Sequence, residues 1–371
     1  VRILHVVPTY LPAVRYGGPI VAVHGLCRAL AARGHDVTVF TTNVDGGGVS
    51  DVPVATPVDI DGVRVTYFAS ELPRLYRSRG MARALARDAR SFDVIHAHSI
   101  YLWPTWIASR AAARAGVPSI ISPRGMLVRD LIARKSRIVK TAWLRLIERR
   151  NFARAAAIHF TAQREWDDAK ALAIPLPHPF VVPNGIDLLP RPNLPRDAHT
   201  LAYLGRINWK KRLDVIIDAL PALPGVVFRI AGNDEEELTP VLRALAERRG
   251  VADRVEFTSP LYGDAKFAFL ARATLFVLPS LSENFGNVVV EAMMMETPVV
   301  VSPAVGLAEQ LAFRGAGIVA DDFSSAIDAA LRDDALRAEL GASGRAYVEE
   351  ELTWPRVSAQ MEEAYQRCCA R

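Results

Sequence analysis

The chain has 371 residues, half of them apolar, and its 45 Lys and Arg against 40 Asp and Glu leave a formal charge of +5. That length exceeds one ordinary core and suits two domains of about 150 to 200 residues; the mild basicity fits phosphate-bearing or anionic partners without calling for nucleic acid. Cys27, Cys368 and Cys369 offer neither a disulfide framework nor zinc-ligand spacing, and no histidine cluster supplies missing ligands, so the expectation is no metal and a reducing, cytoplasmic setting.

In chain order, Arg2-Ile-Leu-His-Val-Val is interrupted by Pro8, Pro12 and Arg15 before the apolar region of an export signal develops, and it reads as a first buried strand. Further strands are expected at 36–42, 63–68, 93–98, 119–122 and 157–161, with helices between most of them. The first helix, 19–33, opens on proline and stops at Gly34. Asp59-Ile-Asp61 mimics a D-x-D metal motif, yet Asp61-Gly62 between two β-branched runs reads as a hairpin turn, and a metal there is rejected. Trp103 and Trp106, beside Pro104, read as packing residues at a helix start. After Val182-Pro-Asn-Gly-Ile-Asp the proline-rich 187–199 stretch builds no packed element and reads as a linker. The second half repeats the plan with strands at 200–204, 226–231, 255–258, 275–278, 299–301 and 317–320.

Short β-branched runs alternating with helical patterns imply an α/β protein of two doubly wound, Rossmann-like domains. The first is expected over 1–186 and the second over 200–352, with a C-terminal helix, 353–371, packing back on the first. Such sheets bind ligands beyond the carboxyl ends of their strands, so a cleft across which the two domains face each other is the expected active site.

The stretch from Leu275 to Met293 combines a buried strand, a polar loop and a helix starting near Asn287. Free N–H groups around Gly286 and Asn287 would suit a diphosphate. Glu283 lies in that loop and Glu291 in the helix, where apolar neighbours leave a charge in need of a reason; either carboxylate can accept from sugar hydroxyls. A pairing of Glu291 with a neighbouring cation is the plainer alternative.

Tyr16-Gly-Gly, R-G-H-D-V-T-V from Arg33, D-V-I-H-A-H from Asp93, V-P-N-G-I-D, L-G-R-I-N-W-K-K from Leu204 and E-N-F-G-N-V-V-V-E from Glu283 occur in one order along essentially the whole chain. In that set and its E-x7-E spacing the chain resembles family 4 (group 1) retaining glycosyltransferases of the GT-B fold. The resemblance implies that Glu283 holds hydroxyls of the transferred sugar, that Glu291 grips the nucleotide ribose, and that Phe285, Gly286 and Asn287 support the donor. It implies Arg206 and Lys211 on the diphosphate, neutralising the leaving group without metal or other cofactor. Gly17 and Gly18 would bring backbone close to phosphate or sugar, His98 matches the active-site histidine, and Arg124 in Ser122-Pro-Arg-Gly could reach an acceptor or donor phosphate. Glycine is frequent in the family where this chain has Arg212, Glu296 and Val305.

Residues 128–154 hold nine Lys or Arg against Asp130 and Glu148, a net of +7. Val128, Leu131, Ile132, Ile138, Val139, Ala142, Trp143, Leu146 and Ile147 recur at helical spacing. This predicts a basic amphipathic helix that either packs on the first domain with solvated cations or rests on anionic lipid. The expected function is transfer of a hexose from a UDP- or GDP-linked sugar to a glycan or polyprenyl-linked acceptor in surface polysaccharide assembly, in the cytoplasm or peripherally on the inner membrane face. A sugar-nucleotide 2-epimerase and a non-enzymatic two-lobed solute-binding protein are the alternatives.

Overall fold

A computed structural model describes residues 1–13, 17–127 and 137–370. The chain divides into two compact units, Val1–Gly185 with Trp354–Arg371, and Ile186–Thr353.

The first unit holds β1 (Arg2–Val6), β2 (Asp36–Thr42), a small separate hairpin of β3 (Val44–Asp45) and β4 (Gly48–Val49), β5 (Pro57–Ile60), β6 (Val63–Phe68), β7 (Val94–His98), β8 (Ser119–Ser122), β9 (Ala157–Phe160) and β10 (Pro179–Val181). Its main sheet runs β10-β9-β8-β7-β1-β2-β6-β5, parallel throughout except for β5 against β6. The β5–β6 turn places Asp61 and Gly62 at φ of 52° and 80°, the left-handed pair that a type I′ hairpin requires, as the Asp-Gly spacing predicts. Sequence reasoning passed over β10, because three residues beginning on a proline carry no periodic signal; parallel pairing with β9 defines it.

Alternation along β1 sends Ile3 to one face and Leu4 to the other. Ile3 joins Val37, Val39 and Leu30 beneath the helix Gly18–Ala32, while Leu4 joins Phe40, Met81 and Leu85 beneath the helices Arg79–Asp88 and Trp103–Ala115. Trp103 is buried in that second cluster and Trp106 packs at its margin, so both are packing residues at a helix start. The C-terminal helix Trp354–Cys369 adds Trp354, Met361 and Tyr365 to the Ile3 face. Close approach there depends on two glycines: a Cβ on Gly25 would lie 2.1 Å from the Trp354 ring, and one on Gly185 2.5 Å from it.

The second unit contains β11 (Thr200–Leu204), β12 (Val227–Ala231), β13 (Val255–Thr258), β14 (Leu275–Leu278), β15 (Val299–Val301) and β16 (Ile318–Val319), in the order β13-β12-β11-β14-β15-β16 with every recorded pairing parallel. Strands β11, β14 and β15 are buried along their whole length, as the unbroken apolar runs of a doubly covered sheet require.

Two sequence expectations need correction. The proline-rich 187–199 stretch lacks regular structure but is no free tether. Arg196 Nη1 donates to the carbonyl of Ala273 at 2.9 Å, and Asp197 is salt-bridged to Arg229 and Arg272, so these residues clamp the stretch onto the second unit. The basic segment also presents a different face from the one its spacing predicts. Residues 128–136 lie outside the described residues. Beyond them a π turn at Leu144–Glu148 separates the helices Arg137–Trp143 and Arg149–Arg154. A π turn holds more residues than an α turn and so rotates the face that follows. Leu144, Glu148 and Phe152 point inward, whereas Ala142 and Leu146 are exposed, Leu146 at 62%. Glu148 is drawn inside because Tyr101 N, Trp143 Nε1 and Asn151 Nδ2 all donate to its carboxylate.

Candidate active site

Each sheet reverses its strand order once, between β1 and β7 in the first unit and between β11 and β14 in the second, and the loops leaving those strands part to opposite faces. Such switch points are where doubly wound sheets hold ligands.

In the second unit the loop after β11 carries Arg206 and Lys211 and the loop after β14 carries Glu283, Phe285 and Gly286. Leu281 N donates to Lys210 O at 2.7 Å, tying the two loops together. The loop after β15 joins them: Glu283 N donates to Ala304 O at 3.1 Å and Gly306 N to Glu283 O at 2.8 Å. Val305 thus supports the backbone of Glu283. Gly286 caps the helix Asn287–Met294 at a φ of 100°, with Val305 and Val289 packed where a side chain would stand. Phe285 is buried beneath it.

The side chains at this end are mutually paired. Lys211 Nζ contacts the Glu283 carboxylate, both side chains mostly buried. Arg206 is more open and reaches Glu235 at 3.2 Å. Glu291 is half-buried and meets Lys266 Nζ at 2.8 Å, the cation partner of the plainer alternative. Burial raises the Glu291 pKa, and the Lys266 ammonium opposes that rise. Arg206 and Lys211, expected as a pair on one diphosphate, therefore each face a separate carboxylate. Sequence reasoning missed Lys266 and Glu235, since nothing local to the helix Gly263–Arg272 or to residues 234–237 signals those pairings.

In the first unit Gly17 takes a φ of 75° and caps the helix that Gly18 begins; Tyr16 lies outside the described residues. The loop between β1 and that helix is anchored by Tyr10, whose hydroxyl is 2.9 Å from His24 Nδ1, while His24 Nε2 is 2.9 Å from Asp61. Asp61 of the rejected D-x-D is thus engaged in a histidine contact.

The expectation that no histidine cluster exists is overturned. Parallel pairing puts His5 of β1 in register with His96 of β7, and His98 follows two residues on, on the same face. His159 of β9 lies beyond, its ring 5.3 Å from that of His96. All four are buried, and burial drives every one below the ordinary histidine range, His5 and His159 to about 3. Ring nitrogens of His5, His96 and His98 fall within 4.8 Å of one another, a spacing that could hold a metal ion. His5 and His98 are instead bonded to each other, and His96 Nδ1 meets the Tyr365 hydroxyl at 2.8 Å. His98 Nε2 is 2.9 Å from His5 Nδ1, and Arg124 Nε donates to His98 Nδ1 at 3.3 Å. A cation would have to break these bonds beside the Arg124 charge. His98, expected at the substrate, is 1% exposed and has both nitrogens occupied by protein. Arg124, by contrast, is half-buried and also donates from Nη1 to Asn184 Oδ1 at 2.8 Å. Asn184 belongs to the V-P-N-G-I-D motif, which could have singled it out.

Two family models match the chain one after the other: "Glycosyl transferase 4-like domain" over residues 17–185 and "Glycosyl transferases group 1" over 187–347. Among curated relatives, a D-inositol 3-phosphate glycosyltransferase of Jonesia denitrificans is 26% identical over 405 aligned positions, covering 95% of this chain and 91% of the relative. A glycogen synthase of Mycobacterium tuberculosis is 28% identical, covering 98% and 94%. Sucrose-phosphate synthase from Thermosynechococcus elongatus superposes with a TM-score of 0.78 at 20% identity over the whole of both chains. Anabaena HepE in complex with UDP-glucose does so with a TM-score of 0.73 at 18% identity over 99% of each. With both switch points and the E-x7-E loop in place, the chain belongs to the family 4, group 1 glycosyltransferases and has their GT-B fold of two Rossmann-like domains.

Proposed function

We propose that the protein transfers a hexose from a UDP- or GDP-linked sugar, with retention of anomeric configuration and without metal, to a glycan or polyprenyl-linked acceptor in surface polysaccharide assembly. The contact of Lys211 with Glu283 at the β11–β14 switch point carries the reading. It sets a cation for diphosphate oxygens beside a carboxylate for sugar hydroxyls, on loops joined through their backbones. Lys211 and Arg206 take the charge that develops on the departing phosphate, work that a metal does elsewhere. Glu291, paired with Lys266, accepts from the ribose hydroxyls. Phe285, Gly286 and Asn287 support the donor, and Gly17 and Gly18 offer backbone close to phosphate or sugar.

In this mechanism the bond from the anomeric carbon to the phosphate oxygen breaks through an oxocarbenium-like state. The acceptor oxygen bonds to the same face, and its proton passes to the leaving phosphate. An inverted anomeric centre in the product, read by NMR, would refute retention.

Family membership favours transfer over the epimerase and solute-binding readings. The HepE complex with UDP-glucose gives UDP first place among donors to test. The test is calorimetric binding of UDP-, GDP- and ADP-sugars without added metal, repeated on Glu291→Ala and Arg206→Ala. One sugar nucleotide binding selectively, and weakened in both variants, supports the reading; binding of none refutes it.

The setting we propose is cytoplasmic, peripheral on the inner membrane face. No described helix is long and apolar enough to cross a membrane. Exposed Leu146 among exposed Arg145, Arg149 and Arg150 supports surface contact with anionic lipid, each cation adding about 1 kcal/mol. Failure of anionic liposomes to retain the protein at low salt would end that part of the proposal.

A further inference from the structure

Three buried histidines and Tyr365 form a relay whose polarity is fixed from its Arg124 end. Arginine can only donate, so the contacts of Arg124 Nε and Nη2 with His98 Nδ1, at 3.3 and 3.2 Å, make that nitrogen a bare acceptor and put the His98 proton on Nε2. That proton goes to His5 Nδ1 at 2.9 Å, which leaves the His5 proton on Nε2, facing the Tyr365 hydroxyl at 3.5 Å. Tyr365 then donates to His96 Nδ1 at 2.8 Å, so the His96 proton sits on Nε2. Beside the relay, and not bonded to it, His159 Nε2 donates to the carbonyl of Val182 at 2.9 Å, leaving its Nδ1 as a lone pair. Among the described residues, the nitrogens of these four histidines left buried without a partner are His96 Nε2 and His159 Nδ1, one donor and one acceptor on neighbouring rings.

Four buried side chains, His98, His5, Tyr365 and His96, thus serve to present one lone pair to Arg124. The partners holding the guanidinium, His98 Nδ1 and Asn184 Oδ1, are both neutral. The nearby Glu165 carboxylate spends its oxygens on Gly125 N, Thr161 N and the Thr161 hydroxyl, and Arg124 has no ion pair among the described residues. Of the five guanidinium N–H groups, the bonds above use three. The backbone is strained at the same place: Ser99, Tyr101 and Arg124, none of them glycine, take φ of 70°, 61° and 55° in the loops after β7 and β8. Such strain gathers where a structure holds groups ready for a ligand.

We propose that Arg124 is the anion-binding group of the first unit and that its ligand is a phosphate carried by the acceptor. The relay holds the planar fork with its free N–H groups directed at phosphate oxygens, a geometry an ammonium lacks. The site accordingly selects acceptors that bear a phosphate over neutral glycans. This deepens the transferase reading and rests on it for the word acceptor.

The test titrates the full chain with inorganic phosphate, alone and after saturation with UDP, in wild type, Arg124→Met and Arg124→Lys. The expected result is phosphate binding that persists under saturating UDP, falls at least about tenfold in Arg124→Met, and is restored only in part by lysine, which keeps the charge without the fork. Phosphate displaced by UDP would assign Arg124 to the donor and overturn the proposal; so would equal binding to the methionine variant, or no binding to wild type. Absence of UDP binding instead condemns the donor-site reading, so the two failures are distinguishable. Retention of Arg124→Met on anionic vesicles separates sources of the same phosphate: retention lost points to a lipid headgroup, retention kept to a soluble acceptor.

Discussion

The Lys211 ammonium rests on the Glu283 carboxylate, two groups 72 residues apart joined where β11 and β14 lie side by side. In the proposed function a donor diphosphate competes with Glu283 for Lys211. Lys211→Ala should lower kcat/KM by about 100- to 1000-fold, the loss of one transition-state charge stabiliser. Steady-state transfer assays check it, and an unchanged rate would remove Lys211 from the mechanism.

Lys266→Met leaves Glu291 buried without its cation. Its carboxyl pKa, already raised by burial, rises further once the opposing ammonium is gone. Nucleoside diphosphate affinity should fall by about tenfold and become more sensitive to acid, while Glu291→Ala weakens binding without that added pH dependence. Calorimetry across pH 5 to 8 separates the two.

Tyr365→Phe removes one hydroxyl and leaves His5 Nε2 and His96 Nδ1 without their partner in the interior. No cavity forms, so the cost is that of unsatisfied polar groups, about 1–3 kcal/mol. Urea unfolding of the variant measures it; a cost near zero would mean that the relay is not assembled.

The histidines also set an acid limit. Each has a folded-state pKa below its unfolded value, so the folded chain binds fewer protons than the unfolded one and stability falls as pH drops. The loss begins near pH 6.5 and continues towards about 3, the value for His5 and His159. The slope is about 1.4 kcal/mol per pH unit for each histidine. Arg124 beside the rings adds to the effect, while the buried carboxyls Glu148 and Glu165, both with raised pKa, work against it over the same range. Thermal melts from pH 7.5 to 4.5 should show the decline, and His5→Gln should flatten it.

Gly25→Ala would put a methyl group into the Trp354 ring. Overpacking of that kind costs about 1–3 kcal/mol, and Trp354→Ala about 3–5 kcal/mol. The double variant should cost less than the sum of the two, since the cavity accepts the methyl group; denaturant unfolding of the set measures the coupling.

The sequence by itself determined most of the longer elements. The β-branched runs of β2 and β6, the apolar runs of β11 and β14, the Asp61-Gly62 turn and the helix start at Asn287 follow from side-chain period and turn chemistry, which act over a few residues. The order of the motifs likewise placed Lys211 and Glu283 after strands of a doubly wound sheet. Only the tertiary structure decided which side chains meet: Lys266 with Glu291, Arg196 and Asp197 with the second unit, Glu148 turned inward by its three donors, and four histidines gathered from β1, β7 and β9. Those contacts depend on strand order and register, set by burial summed over the whole sheet, and no local pattern encodes them. For that reason His98 reads as a substrate residue in sequence, whereas in the fold it is saturated by His5 and Arg124, and among the described residues Arg124 keeps N–H groups to offer.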